Sequence, residues 1–568
     1  MKRIFVLLLF SWIATSVSAQ EIAGQWTGTL KLPATDLKLV FNVMHSGEKY
    51  RATFDSPNQG AKNIPIETTY YENGELIFHI PQIRAEYSGR LNEQGVVEGI
   101  FRQSGQEFPM ALKRVVYIPV PGEYDFDGQW MGTVEIQGIK LRVVFHVSKI
   151  GNEYASAMDS PDQGAKGTPV RVTRVSGREI VMEIPAISFI YQGEADQEGK
   201  ITGKLTQFGV EYTLNLERQN EIVKLDRPQE PKAPFPYRIE EVVFENEADS
   251  VMLAGTLTLP EGKDNFPVAV MISGSGPQNR DEEMMGHKPF WVIADYLARR
   301  GIGVLRFDDR GVGKSTGVFD KATSLDFARD AASAVRYLKE KRKFREIGLI
   351  GHSEGGMIAP LVASESKDVK FIVLLAGTGI RGDQILLTQQ AAIHREAGIA
   401  DSVVQEIEHW HRGIYDMILA SSSVDEVRDS VSTYFRNLLE AASPGAFGGM
   451  KSEDIIRARV DQLLHPWMYF FMRYDPVPAL KKVKCPVLAL NGDKDLQVLP
   501  EINLDGIRRG LVAAKNRNVT IKVLPGLNHL FQECESGAPA LYGSISQTFS
   551  PVALKEIGDW IENLKIKK

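Results

Sequence analysis

Ser353, Asp495 and His529 are the residues of this 568-residue chain whose types, order and surroundings could do chemistry together. Ser353 lies in Gly351-His352-Ser353-Glu354-Gly355, with the apolar run 347–350 before it and a helix-like segment after it. Gly-x-Ser-x-Gly is the spacing of a nucleophile elbow, a sharp strand-to-helix turn that exposes the serine hydroxyl. Glycines two residues either side of the serine avoid side-chain collisions in that strained turn. A serine hydroxyl is a poor nucleophile at neutral pH, so it needs a base, and the base needs an orienting carboxylate. His529, in Gly526-Leu527-Asn528-His529, is the candidate base. Asn491-Gly492-Asp493-Lys494-Asp495 offers two candidate acids. Gly-x-x-Asp after a strand favours Asp495 over Asp493. His287 and His352 are the rival histidines; His352 adjoins the serine, but neighbours at an elbow point apart. Such a serine also needs N–H donors for a developing oxyanion. The Glu354 amide at the helix start is one candidate. Ser275 is the other, in Ser273-Gly274-Ser275-Gly276-Pro277, where Gly274 and Gly276 would let the backbone approach a substrate.

These residues need a scaffold, and the pattern from residue 237 onward supplies one. Strands and helices alternate, which predicts a mostly parallel sheet. Segments 239–244 and 251–259 read as an opening hairpin, and 267–272, 303–307, 347–352, 372–376, 486–490 and 519–524 as strands. Segments 291–300 and 552–564 read as helices, and Thr323-x-x-Asp326 as the capping box of another. The candidate residues fall at carboxyl ends of strands, where open α/β sheets place their sites. About 110 residues separate the strands at 372–376 and 486–490, and a crossover needs only a dozen or so. The surplus, about 381–478, reads as an inserted helical lid. Its aromatics, Trp410, Trp467 and Tyr469-Phe470-Phe471, could line a substrate pocket or form the lid's own core. Gly311-Val312-Gly313-Lys314-Ser315-Thr316 has the look of a phosphate loop, but Asp308 stands where its first glycine is needed, so the match fails.

The first 220 residues carry a duplication. Gly24-Gln25-Trp26 returns as Gly128-Gln129-Trp130, and Asp55-Ser56-Pro57-Asn58-Gln59-Gly60-Ala61-Lys62 returns as Asp159-Ser160-Pro161-Asp162-Gln163-Gly164-Ala165-Lys166. Tyr87 pairs with Tyr191 and Gly99 with Gly203, at the same offset in every case. Alternating apolar positions in 37–43 and 141–147 predict antiparallel strands with one buried face. Two small barrels or sandwiches, 20–118 and 124–220, or one fused pair, are expected, and their Gly-x-Trp openings weakly resemble lipocalin-like barrels. The repeated loops either hold turns in place or bind a ligand or cover the later site. His146, on the polar face where the first copy has Asn42, is read as solvated. Four prolines within 228–236 mark 221–236 as a stiff linker.

Residues 1–19 read as a secretory signal peptide: Lys2-Arg3, an apolar run too short to span a bilayer, then small residues before Gln20. Export to the periplasm or beyond is therefore expected, without a lipid-anchor cysteine. The net charge of −6 gives no basic stripe of the kind that nucleic acid needs.

Together these observations describe a multidomain chain: a duplicated all-β module, then an α/β-hydrolase domain, 237–568, with a helical lid. From about residue 240 the chain resembles the α/β-hydrolases of the EstD-type carboxylesterase branch and its serine-aminopeptidase-like relatives. The residues that carry the resemblance are Gly274 to Asp281, Leu305 to Gly313, the elbow, Asn491 to Asp495 and Leu527 to His529. It implies a Ser353–Asp495–His529 triad and no metal or other cofactor. Ser273 stands where that branch usually has histidine. In such a fold Cys485 opens a strand away from the site and Cys534 follows His529 near it. A strand length of roughly 17–20 Å separates those levels, so two free thiols are expected. The expected activity is hydrolysis of small to medium carboxylic esters. A peptidase using the same triad, and a protein that mainly binds a ligand through the β modules, are the alternatives. The expected partner is a small acyl ester, with no nucleic acid and no membrane span; the oligomeric state is open.

Overall fold

The computed structural model describes residues 22–564 apart from 33–35, 47–48, 104, 118–121, 137–138, 164, 208–209, 220–226, 263–264 and 442–451. The signal-peptide expectation therefore lies outside the described residues, as do parts of the expected linker and of the insertion. Among the described residues no helix is long and apolar enough to cross a membrane.

Each N-terminal copy is an antiparallel meander. In the first, the path begins at Ala61–Ile66 and ends at Thr68–Glu72, which are consecutive in the chain, so the nine-stranded sheet curls back on itself. The second repeats the path with ten strands, one of them paired off it. Trp26 faces Phe41 in the first copy and Trp130 faces Phe145 in the second, so duplication preserved register as well as sequence. Both tryptophans are buried in the core of their own copy and donate Nε1–H to the carbonyls of Ile22 and Phe126. Gly99 and Gly203 face the Tyr87 and Tyr191 rings so closely that a side chain there would collide with them.

The duplicated loops hold their own turns. Ser56 Oγ donates to Gln59 Oε1 at 2.7 Å, as Ser160 does to Gln163 at 2.8 Å. Asp55 and Asp159 accept from the amides of Asn63 and Gly167. They also face outward in a relay. Asn58 of the first loop donates to the Val170 carbonyl of the second copy, while the second loop backs onto Gly543 of the C-terminal domain. His146 is not solvated. It is half-buried, with Nε2 at 2.7 Å from Asp159 and Nδ1 at 3.0 Å from Gln129. Its ring occupies the polar pocket that Asn42 fills in the first copy, where Asn42 donates to Asp55.

The C-terminal domain has eight strands: β1 (Tyr237–Asn246), β2 (Val251–Pro260), β3 (Val268–Ile272), β4 (Gly303–Phe307), β5 (Ile347–His352), β6 (Val369–Leu375), β7 (Val487–Gly492) and β8 (Val519–Leu524). Their order is β1-β2-β4-β3-β5-β6-β7-β8. The first two are antiparallel and β3 to β8 run parallel. Alternate residues of β3 enter opposite cores, as a period of two requires. Val268, Val270 and Ile272 join one core, and Ala269 and Met271 the other. Helices α2 (Ser324–Glu340), α3 (Glu354–Glu365) and α10 (Pro500–Ala513) cover the first core, and α1 (Pro289–Arg299) and α11 (Pro551–Glu562) the second. Thr323 and Asp326 form the expected capping box of α2.

Between β6 and β7 lie α4 (Gly382–Glu396), α5 (Asp401–Ala420), α6 (Val424–Ala441), α7 (Ser452–Leu463), α8 (Pro466–Arg473) and the short α9 (Val477–Leu480). This insertion has its own aliphatic core around Leu387, Ile414, Ile418, Val431 and Val460. Its aromatics divide. Trp410 is on the surface, Phe471 packs with Met357 of α3, and Tyr469 and Phe470 line an open groove of about 680 Å³.

Candidate active site

The site is built at the carboxyl ends of β3, β5, β7 and β8. At the elbow Ser353 has φ 52° and ψ −114°, and its amide donates to the Leu375 carbonyl of β6 at 2.8 Å. A Cβ at Gly351 would run into the Gly355 carbonyl, and one at Gly355 into the Ile272 carbonyl, so the turn closes only with glycine at both places. α3 starts directly behind the serine, and amides of a first helical turn have no partner within the helix. Glu354 supplies the first of them.

The loop after β3 lies against the elbow. A Cβ at Gly274 would be 3.2 Å from that of Ser353. Ser275 is exposed beside it, and Gly276 has φ 95°, which favours glycine. The Gly274 amide is engaged by Glu282 Oε1 at 2.6 Å, which leaves Ser275 as the candidate donor of this loop. Asp309 fastens the loop from behind, accepting from Ser273 Oγ at 2.8 Å and from the Gln278 amide at 3.0 Å. Burial pushes the Asp309 carboxyl well above its usual range, helped by the nearby Glu354 and Glu282. Asp308 takes the space a phosphate loop would leave open. It accepts from the Lys314 amide, lies against Gly313, and pairs with Arg280 at 2.8 Å.

Asp495 and His529 meet after β7 and β8. His529 Nδ1 is 2.8 Å from Asp495 Oδ2, and Asp495 Oδ1 accepts the amides of Gln497 and Val498 at 2.8 and 2.9 Å. Three donors thus hold a carboxylate that is only 1% exposed. Asp493 instead caps the Gly526 amide at 2.6 Å and takes no part in this pairing. His287 is buried elsewhere, between Thr548 Oγ1 and the Tyr542 carbonyl at 3.0 Å each, and burial lowers its pKa to about 4.

Three contacts had no signal in the sequence. His352 Nδ1 is 3.0 Å from Glu282 Oε1, and its Nε2 is 2.9 Å from the His529 carbonyl. Glu354 Oε1 accepts from Ser324 Oγ at 2.6 Å and from Trp467 Nε1 of the insertion at 2.9 Å. Burial raises the Glu354 pKa against those two bonds. Arg227, within the expected linker, donates to the carbonyls of Met285, Gly543 and Ile545, so this part of the linker is bound to the loop that follows His529. Each contact joins residues 30 or more apart, and only folding brings them together. The two cysteines are free; Cys485 precedes β7 and Cys534 lies beyond His529. Among the described residues no group of three or more His, Cys, Asp or Glu could hold a metal ion.

A sheet of this order, with a serine at the elbow after β5 and a histidine after the last strand, defines an α/β-hydrolase. Residues 269–540 match the family described as alpha/beta hydrolase family, and they lie within the domain that has the α/β-hydrolase fold. The chain is 25% identical over 336 residues to esterase EstD of Thermotoga maritima, covering 58% of this chain and 71% of that protein. It is 26% identical over 143 residues to the uncharacterized protein YfhR of Escherichia coli O157:H7, covering 25% of this chain and 48% of that one. Among solved structures it is similar to the Pyrococcus furiosus esterase Pf2001, at 17% identity over 60% of this chain and 98% of that one, with a TM-score of 0.34. Est1E of Butyrivibrio proteoclasticus, solved with ferulic acid bound, is 15% identical over 57% of this chain and 100% of its own, with a TM-score of 0.33.

Proposed function

We propose that this chain is an exported serine hydrolase that cleaves carboxylic esters of small to medium acyl chains through an acyl-enzyme. The observation that carries the reading is the 2.8 Å bond from His529 Nδ1 to a buried, triply held Asp495, on the sheet that presents Ser353 at a strained elbow. In this mechanism His529 takes the Ser353 proton as the oxygen attacks the ester carbonyl. The amides of Glu354 and Ser275 receive the oxyanion, and His529 returns the proton to the leaving alcohol. Water then repeats the sequence on the acyl-enzyme. Asp495 fixes the tautomer of His529 and stabilises its charged form. The helical insertion acts as a lid, tied to the elbow through Trp467 and Glu354.

An aminopeptidase would need an anionic carboxylate for the substrate ammonium. Glu282, Asp309 and Glu354, the carboxyls gathered at the elbow, are all buried and held by protein donors, and burial favours the neutral form of the last two. The ester reading is therefore preferred.

The test is hydrolysis of p-nitrophenyl acetate, butyrate and octanoate by residues 20–568 and by Ser353→Ala. Removing the nucleophile should cost at least about 10⁴-fold in kcat. A folded variant that retained turnover would sink the assignment. Export is tested by expressing the full chain in a Gram-negative host. A periplasmic product beginning at Gln20 is expected, and a cytoplasmic product that keeps Met1 would refute it.

A further inference from the structure

His352 is flanked by two acceptors. Nδ1 faces Glu282 Oε1 at 3.0 Å and Nε2 faces the His529 carbonyl at 2.9 Å. With Glu282 ionised, both neighbours are acceptors, and because a neutral imidazole donates from one nitrogen only, both bonds then form together only in the imidazolium. Glu282 Oε1 also accepts the Gly274 amide at 2.6 Å. Two side chains thus connect the loop after β3, the elbow, and the loop that carries His529.

We propose that His352 is a fixed imidazolium which, with Glu282, forms a three-way joint holding the oxyanion loop and the His529 loop at the elbow, so that both are positioning residues for the reaction. The proposal rests on the ester-hydrolase reading of Ser353 and His529. Neither residue touches the reacting atoms; each acts through the backbone it holds.

The surroundings allow such a charge only as part of a pair. Pro289, Phe290, Ile293, Leu375, Leu530 and Phe549 form apolar walls around His352 and Glu282, enclosing a cavity of about 10 Å³. That is room for one water at most. The charged or titratable groups that face His352 are Glu282, His529, with ring centroids 4.9 Å apart, and Asp495 behind His529. Burial opposes the charged ring, the Glu282 carboxylate outweighs it, and the pKa of His352 lies above the usual histidine value. When the ring loses its proton, Glu282 retains the remaining N–H, and the bond to the His529 carbonyl is the one lost. The base then loses its backbone anchor, and kcat falls on the alkaline side.

Glu282→Gln keeps an acceptor for His352 and for Gly274 but removes the charge. On p-nitrophenyl butyrate at pH 8 it should lower kcat about tenfold, the factor of a hydrogen bond to a charged group, with KM within about twofold. The ratio of wild-type to variant kcat should shrink as the pH is lowered toward 6. An unchanged kcat, or a ratio constant from pH 6 to 9, would overturn the proposal. If Glu282→Gln fails to fold, ¹⁵N-histidine NMR of Ser353→Ala decides, since it needs no turnover. Both ring nitrogens of His352 protonated at pH 8 supports the joint, and a neutral ring refutes it. Turnover retained by Ser353→Ala would instead strike at the reading of the site and leave the state of His352 a separate measurement.

Discussion

The elbow and the loop after β8 each press a histidine against a buried carboxylate, and the two rings lie 4.9 Å apart. Among the described residues His529 makes one ring hydrogen bond, from Nδ1 to Asp495. His352 uses one nitrogen on Glu282 and the other on a backbone carbonyl. The chemistry of the pairs is alike, and the second nitrogen separates them. A ring with an uncommitted nitrogen can accept a proton; a ring with both committed can only hold. The carboxylates differ to match. Asp495 receives two backbone amides beyond its histidine, which hold the carboxylate in one orientation beside that ring. Glu282 spends its oxygen on Gly274 and so couples its histidine to another loop.

Breaking the first pair should cost most. Asp495→Asn keeps the shape but presents an amide that can hold His529 in the wrong tautomer, and kcat should fall by about 10³–10⁴-fold with little change in KM. Stopped-flow or steady-state assays on p-nitrophenyl butyrate check this. A loss no larger than that of Glu282→Gln would erase the distinction between the pairs. Ser275→Pro removes the second oxyanion amide while leaving both pairs intact, and kcat should drop about 10²–10³-fold. Wild-type kcat in that variant would place the second donor elsewhere in the loop.

The members of the first pair could be read from the sequence because each follows a strand with its own turn signal. Gly-x-Ser-x-Gly, Gly-x-x-Asp and a histidine after the last apolar run are local patterns, and a parallel sheet brings strand ends together by construction. The strands of the parallel sheet with their opening hairpin, the capping box of α2 and the duplication are legible for the same reason, whereas the crossing of β3 and β4 in the sheet order is not. Glu282 is not, because it sits in the polar run Asn279-Arg280-Asp281-Glu282-Glu283, where nothing separates a buried acid from a solvated one. The tie from Trp467 to Glu354 spans 113 residues. His146 misled for a related reason. Its alternation places it on the outward face, which is correct, but that face is covered by Asp159 and Gln129 rather than by water.

Two weaker contacts sharpen the contrast between groups that react and groups that hold. Trp467→Phe keeps the stack on Phe471, at 5.2 Å, and removes the donor to Glu354. Losing one hydrogen bond of about 1 kcal/mol should raise KM for the octanoate ester about fivefold and leave kcat for the acetate unchanged. An equal change for both esters would detach the insertion from chain-length selection. His146→Asn restores in the second copy the residue of the first, whose Asn42 holds Asp55 at 2.9 Å. Burial alone would raise the Asp159 carboxyl, but the His146 bond and the Gly167 amide outweigh it, and its pKa lies below the usual value. A depressed carboxylate stabilises the fold above its unfolded pKa, and that contribution is lost as the pH falls through the folded value. The variant should therefore be less stable than wild type by under about 1 kcal/mol at pH 7, with the gap closing at an acid pH where Asp159 is protonated in the folded protein. Urea denaturation at both pH values measures it. Because His146 lies far in sequence and fold from Ser353, ester turnover at pH 8 should stay at the wild-type level. A loss of turnover would mean that the second copy, whose loop backs onto Gly543 beside the buried Tyr542, helps to set the loop of His529.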